Sequence, residues 1–196
     1  MSDISTRRHG LEPLHIAICS GVGQINLRGD PLNPAFTEAA ERALGQKLPL
    51  AANTTSAGEH RICWLGPDEW QITTAAASVS RLSAVLDDAF AQCHSSVLDL
   101  SGGMLTLQFR GNGARGVLAK GCTLDLSAAR FGTGACAQSG LAKAGMLISC
   151  LDDAEPLFEI VVRRSFADYA LRWLHHACGG RSVSVSEAEW AALKSA

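Results

Sequence analysis

The sequence predicts an α+β fold of two similar halves, each an antiparallel or mixed sheet with helices packed on one face. Three observations predict it. Short apolar strands often follow one another in pairs, amphipathic helices follow these strands, and the order strand, helix, strand, strand, helix occurs twice. A doubly wound parallel sheet would instead alternate strands with helices. The 196 residues, 47% of them hydrophobic, suffice for a sizeable core.

The first half is predicted to contain four strands and two helices, of which the first is short. Pro34 starts this helix, which runs to about Leu44 with apolar residues on one face and stops at Gly45. Residues 49–59 are small and polar, so we expect an exposed connection there. Gly66-Pro67-Asp68 has the composition of a turn between hairpin strands. The strands predicted in this half span residues 14–19, 24–28, 61–64 and 70–74.

The first half ends with its second helix, which Ser78 is placed to N-cap and whose apolar positions recur at helical spacing as far as Phe90. Paired strands and helices also alternate in the second half. A short helix is predicted at residues 113–120, and a final helix at 166–178 ends before Gly179-Gly180. The strands predicted in this half span residues 96–100, 104–110, 135–141, 145–151 and 158–162.

Composition along the chain suggests three segments. Residues 1–13 are polar and end in a proline, which predicts a flexible N-terminal arm. Residues 14–180 contain all the predicted helices and strands and form the domain itself. Residues 181–196 are predicted to form a C-terminal tail.

The charge balance argues against nucleic acid or an anionic membrane surface as the partner. The formal net charge is −2, and the 17 basic and 19 acidic residues are spread along the chain. We also expect no export signal, because the arginines near the N-terminus are not followed by an apolar segment. No window approaches the length of a membrane span. The seven cysteines include no CxxC pair, which favours reduced thiols in the cytoplasm.

One glycine-rich turn resembles a nucleotide-binding loop. Gly111, Gly113 and Gly116 give the pattern GxGxxG after a predicted strand and before a helix, where backbone N–H groups can hold a pyrophosphate. The dinucleotide fingerprint also requires an acid about 20 residues further on, but that distance falls on Arg130-Phe131. An ordinary strand-to-helix turn is therefore the favoured interpretation, with dinucleotide binding as the alternative.

No arrangement of reactive side chains predicts a catalytic or metal centre in this chain. Adjacent His175 and His176 point in different directions on a helix, so a solvated helix face is favoured over metal ligands. Regularly spaced cysteines 122, 136 and 150 are expected to be small buried hydrophobes. Ser101 lacks the GxSxG context of a nucleophile, and we expect Asp99 and Ser101 to hydrogen-bond the backbone of a turn.

Four residues are candidates for contact with another protein. Arg163 and Arg164 end a hydrophobic strand, and arginine is enriched at interfaces, although an exposed strand end explains them equally well. Trp70 is a candidate that also fits a core position. Trp190 lies in the predicted tail, where an aromatic side chain is better placed to dock on a partner.

Several short motifs occur together over most of the chain, from about residue 11 to 178. They are residues 65–70 (LGPDEW), 99–101 (DLS), 118–122 (LAKGC), 124–126 (LDL), 136–138 (CAQ), 141–145 (LAKAG) and 162–169 (VRRSFADY). In combination they resemble the gamma subunit family of heterotetrameric sarcosine oxidase. This resemblance implies a fold similar to the folate-binding domain of glycine-cleavage T-protein and related aminomethyltransferases.

The resemblance implies a non-catalytic subunit that assembles with alpha, beta and delta partners. In that family the complex oxidises sarcosine to glycine and H2O2, and the one-carbon unit leaves as formaldehyde or passes to tetrahydrofolate. FAD, FMN, NAD, tetrahydrofolate and zinc are then expected in the partner subunits and none in this chain. T-protein-like domains use a carboxylate for folate chemistry, yet the corresponding residues 141–150 include no Asp or Glu.

Two other functions remain open from the sequence. The first is a free-standing folate- or nucleotide-binding domain with its pocket behind the turn at residues 111–116. The second is an independent aminomethyltransferase, which the missing carboxylate disfavours. Both differ from the leading hypothesis in requiring a ligand site on the isolated chain.

Overall fold

The computed structural model describes residues 13–189, which contain eleven strands and four α-helices. The helices are α1 (Pro34–Leu44), α2 (Val79–Ala89), α3 (Ala114–Leu118) and α4 (Ala167–Ala177). The strands are β1 (Leu14–Ser20), β2 (Val22–Gly29), β3 (Thr55–Ala57), β4 (Arg61–Gly66), β5 (Glu69–Ala75), β6 (Ser95–Asp99), β7 (Met104–Arg110), β8 (Cys136–Leu141), β9 (Ala144–Asp152), β10 (Leu157–Arg163) and β11 (Val183–Glu189).

The strands form two sheets, which confirms the predicted α+β class. The larger sheet has the order β11-β1-β7-β10-β9-β8, and the smaller has the order β3-β4-β5-β2-β6. Neighbouring strands are antiparallel throughout, except for the parallel pair β1 and β11. The smaller sheet is built from β2 to β6, and the larger sheet from β7 to β11 together with β1.

Each sheet buries one face against its own pair of helices. In β2, Ile25 and Leu27 belong to a hydrophobic core that includes the buried faces of α1 and α2. In β7, Leu107 and Phe109 belong to a second core with α3 and α4. Because side chains alternate along a strand, the residues between these positions face away from the helices. The polar residues at the alternate positions of both sheets meet each other, as hydrogen bonds described below show.

The local sequence explains where α1 begins and ends. The Asn33 side chain caps the helix by accepting a hydrogen bond from the Ala35 backbone N–H at 3.0 Å, and Pro34 occupies the first helical position. Gly45 ends the helix in the left-handed conformation, with φ 67°. The predicted helix at residues 34–44 is confirmed. Ser78 precedes α2 as predicted, but its side chain makes no capping hydrogen bond.

Three segments differ from the sequence prediction. The expected connection at residues 49–59 contains β3, and an isolated bridge between Thr54 and Ala135 joins it to the chain preceding β8. Helix α3 is shorter than the predicted 113–120. The largest correction concerns the predicted tail, because β11 pairs with β1 over seven residues. Its partner lies at the other end of the chain, so local sequence gives no signal for this pairing.

None of the helices between residues 13 and 189 combines the length and apolar character that a membrane-spanning helix requires. The predicted arm at residues 1–13 lies, apart from Pro13, outside the described residues.

Candidate functional site

A layer of buried polar side chains lies between the two sheets. Gln24 of β2 is at its centre, because its Nε2 donates to Thr106 Oγ1 of the larger sheet at 3.0 Å. Its Oε1 accepts from Gln71 Nε2 at 2.9 Å and from Thr73 Oγ1 at 3.2 Å. All four residues are buried. Because buried polar groups must be hydrogen-bonded to one another, this network fixes how the two sheets pack and leaves these atoms engaged.

An ion pair crosses the same layer. Arg61 of β4 contacts the carboxylate of Glu159 on β10, and the two side chains are only 13% and 2% exposed. A carboxylate at this depth is stable only when it is paired, since burial without a partner costs several kcal/mol, on the order of 3–5. We therefore interpret Glu159 as a structural partner of Arg61.

Two cysteines extend the polar layer toward β8. Cys63 and Cys136 share a side-chain hydrogen bond, and Cys63 Sγ also lies 3.3 Å from Ser149 Oγ. The hydrogen bond to Cys63, and then burial, raise the pKa of the Cys136 thiol. Cys136 therefore stays protonated, and its Sγ also lies 3.2 Å from the Thr54 carbonyl oxygen. A buried, protonated thiol is a poor nucleophile and a poor metal ligand.

The predicted burial of the regularly spaced cysteines is confirmed, because Cys122, Cys136 and Cys150 are all buried. Cys19 is buried as well, and burial followed by the charge of Glu159 raises the pKa of its thiol to about 12. Within residues 13–189, no three His, Cys, Asp or Glu side chains come together as a metal site would require.

A cavity of about 390 Å³ lies at one end of the space between the sheets. We call it the inter-sheet cavity. Its apolar wall comes from Leu65, Leu100, Met104, Met146, Leu147, Val161 and Phe166. Its polar lining comes from Asn26, Glu69, Gln71, Gln138, Ser139 and Arg163. The volume is within the range of small-molecule sites, so its chemistry decides whether it is suited to a reaction.

Glu69 is the one carboxylate that lines the inter-sheet cavity, and it is already bound by an arginine and an asparagine. Arg28 Nη2 lies 2.6 Å from Glu69 Oε2, and Asn26 Nδ2 donates to Glu69 Oε1 at 2.9 Å. The hydrogen bond from Arg28 is the largest cause that holds the pKa of this carboxyl below its usual value. Glu69 is thus ionised at neutral pH, and each of its two oxygens already accepts a hydrogen bond. It lacks the raised pKa of a general acid, and no second carboxylate lines the cavity with it.

The glycine-rich turn at residues 111–116 has the geometry of an ordinary loop. The guanidinium of Arg181 lies so close to Gly113 that a Cβ there would be 2.4 Å from its Nη1. The preceding strand β7 pairs antiparallel with both neighbours, whereas the dinucleotide fingerprint belongs to a parallel βαβ unit. These observations count against the alternative of a nucleotide pocket behind this turn.

The turn at Asp99 and Ser101 forms as predicted. Asp99 Oδ1 accepts hydrogen bonds from the Ser101 backbone N–H at 2.8 Å and from its hydroxyl at 2.5 Å. Ser101 Oγ accepts in turn from the Gln24 N–H at 3.0 Å. His175 and His176 are both exposed, which confirms the predicted solvated helix face.

The predicted interface residues lie in different environments. Trp70 is fully buried: its ring centroid lies 5.9 Å from that of Phe36, and its Nε1 donates to the Pro49 carbonyl oxygen at 2.8 Å. Its predicted interface role is therefore corrected to a role in the core of the smaller sheet. Arg163 and Arg164 are exposed at the end of β10. Trp190 lies outside the described residues.

The two arginines also differ in their contacts. Arg164 donates from Nε to the Gly102 carbonyl oxygen at 2.8 Å and from Nη2 to that of Met104 at 3.0 Å. Arg163 instead lines the inter-sheet cavity. Arg164 thus holds the turn before β7, while Arg163 remains available for an external contact.

Sequence reasoning missed the groups that join the sheets, namely Gln24, Arg61 and Glu159. A signal for them existed. Glu159 stands between Phe158 and Ile160 in a strand whose alternate residues are apolar, so its side chain must point away from that core. Two strands with polar residues at alternate positions could have predicted a polar layer, but not which residues pair.

The fold and site together define a two-sheet α+β protein in which Glu69 and Glu159 are each paired with an arginine. The chain matches the model of the "Sarcosine oxidase, gamma subunit family" over residues 28–180. It therefore belongs to the sarcosine oxidase gamma subunit family. The sarcosine oxidase subunit gamma of Corynebacterium sp. (strain U-96) is 32% identical over 153 residues, which cover 77% of this chain and 72% of that subunit.

Solved structures agree with this assignment. A chain of the heterotetrameric sarcosine oxidase from Corynebacterium sp. U-96, in complex with pyrrole 2-carboxylate, superposes with a TM-score of 0.80 and 28% identity. The match covers 87% of this chain and 86% of that one. Aminomethyltransferase T of the Bartonella henselae glycine cleavage system matches at a TM-score of 0.63 and 17% identity, over 88% of this chain and 47% of that one. The second match confirms the predicted T-protein-like fold.

Proposed function

We propose that this chain is the gamma subunit of a heterotetrameric sarcosine oxidase and acts by assembling with and stabilising the larger subunits. The observation that carries the proposal is the similarity to a chain of such a heterotetramer over most of both chains. The site chemistry supports it. Glu69 is neutralised by Arg28, Glu159 pairs with Arg61, and Cys136 is protonated. These three groups are thus used within the fold.

In this proposal the reaction takes place on the partner subunits, alpha, beta and delta. They would hold FAD, FMN, NAD, tetrahydrofolate and zinc, and together convert sarcosine to glycine with H2O2 and either formaldehyde or 5,10-methylenetetrahydrofolate. The cysteines support a cytoplasmic location, because all seven are free thiols and six are buried.

Co-expression with the other subunits from the same organism tests assembly. An affinity tag on this chain should recover those subunits in equal amounts, identified by mass spectrometry, in one species of heterotetramer mass. The same tag on a chain expressed alone gives the background. Recovery of this chain without the others, at concentrations where they assemble among themselves, would contradict the proposal.

A further inference from the structure

The inter-sheet cavity opens beside exposed apolar side chains. Phe166 lines the cavity and is 40% exposed. Leu98, on the edge strand β6, is 54% exposed and is the register partner of Asn26. Directly opposed residues of an antiparallel pair share one face of the sheet, and Asn26 contributes to the cavity lining. Leu98 therefore extends the apolar surface from the cavity onto the sheet edge.

The cavity also carries a positive charge without compensation. Arg163 follows Val161 on the same face of β10. Its backbone pairs with Met104 in the sheet, but its side chain makes no hydrogen bond or ion pair with the residues between 13 and 189. Arg164 differs, since it is bound to two carbonyl oxygens. The charge of Glu69 is balanced by Arg28. The guanidinium of Arg163 at the cavity is thus complementary to a carboxylate, which it can bind through two parallel hydrogen bonds, as bidentate arginine–carboxylate pairs do.

We propose that the inter-sheet cavity and its rim, Leu98, Arg163 and Phe166, form the surface at which this chain docks onto a larger subunit of the oxidase. The docking segment of that subunit places an apolar side chain in the cavity and a carboxylate against Arg163. This inference rests on the proposed function. It goes further by assigning the contact to one end of the fold and by stating the chemistry of the partner.

The shape of the surface favours a protein segment over a small ligand. A ligand that filled the cavity would leave Leu98 exposed, whereas a protein surface covers an apolar anchor together with its rim. Other exposed apolar residues, such as Leu32 and Val185, do not line this cavity. Single exposed apolar side chains are common and need no partner.

Matched substitutions test the docking surface. Leu98→Asp and Arg163→Glu change two residues of the surface. Leu32→Asp is the apolar control, because Leu32 is 89% exposed. Arg110→Glu is the charge control: Arg110 is an exposed arginine at the opposite end of the β7–β10 pair, beside Leu157, whereas Arg163 is beside Met104. The full-length variants are titrated against the complex of the other three subunits by biolayer interferometry.

We expect Leu98→Asp and Arg163→Glu each to raise the dissociation constant about tenfold or more, as anchor residues do, and the controls to stay within about twofold. The Arg163→Glu effect should shrink at about 0.5 M salt, because screening weakens exposed charge pairs, while the Leu98→Asp effect persists. Circular dichroism should show melting temperatures within about 2 °C of wild type, since all four side chains are exposed.

The outcomes separate this inference from the proposed function. If wild type binds and both surface variants bind equally well, the docking surface is wrong and the proposed function stands. If wild type does not bind, both are wrong. The remaining possibility is that the cavity binds a small carboxylate ligand, and calorimetric titration of the isolated chain with sarcosine tests it. Saturable binding that Arg163→Glu abolishes would overturn the protein partner in favour of a small carboxylate ligand.

Discussion

The ion pair between Arg61 and Glu159 gives the sharpest test of how the two sheets are held together. Arg61→Met keeps most of the apolar stem but removes the charge, and so breaks the ion pair with the carboxylate of Glu159, which is only 2% exposed. Removing one partner of a buried ion pair lowers the free energy of unfolding by about 3–5 kcal/mol. For a chain of this length, each kcal/mol lowers the melting temperature by about 2–4 °C, so the expected loss is about 6–20 °C.

Urea unfolding at pH 7, followed by circular dichroism, measures this effect. The double variant Arg61→Met, Glu159→Leu removes both charges and should recover most of the loss, because an apolar pair of similar volume replaces the ion pair. Arg172→Met is the control, since Arg172 and its partner Asp168 are about four-fifths exposed. The control should cost no more than about 0.5 kcal/mol. A loss below about 1 kcal/mol for Arg61→Met, or a double variant as unstable as the single one, would refute the buried-pair argument.

Three further predictions follow from individual residues. The hydrogen bond from Arg28 lowers the pKa of the Glu69 carboxyl below its ordinary value of 4.5. The ionised carboxyl therefore stabilises the fold fully above pH 4.5, and this stabilisation is lost as the pH falls through the lowered pKa of the folded protein. Glu69→Gln should thus be less stable than wild type in urea at pH 7 and equally stable in strong acid. A difference in the free energy of unfolding that does not change with pH would contradict this. In the native protein at pH 8, Ellman's reagent should react rapidly with Cys93 alone, because the six other thiols are buried. In urea it should react with all seven thiols. Rapid reaction of a second thiol without urea would show that burial does not protect that thiol. Ending the chain before β11 should lower the melting temperature by exposing the edge of β1, and an unchanged value would mean that this pairing adds no stability.

The helices and most strands could be predicted because their signals are local. Pro34 and Gly45 mark the two ends of α1, and the structure reproduces both. Strand β7 was predicted with its observed limits, since its alternate residues are apolar and Gly102-Gly103 precedes it. These signals depend on a few neighbouring residues, so no tertiary information is needed.

The candidate site depends on contacts that local sequence does not encode. Arg61 and Glu159 belong to different sheets, and neither residue by itself indicates its partner. The pairing of β11 with β1 joins opposite ends of the chain. Trp70 is a different case, because it alternates with Gln71 and precedes Ile72 on the buried face of β5. Because Trp70 and Ile72 are two residues apart in one strand, the alternation of side chains could have placed Trp70 in the core. The aromatic character of Trp70, taken alone, suggested an interface instead.

Sarcosine-dependent oxygen consumption tests most directly whether this chain works through assembly. It should be measured for the chain alone, for the complex of the other three subunits, and for that complex after this chain is added. We predict no turnover by the isolated chain and a longer half-life of activity at elevated temperature when the fourth subunit is present. Turnover of sarcosine by the isolated chain would contradict the account.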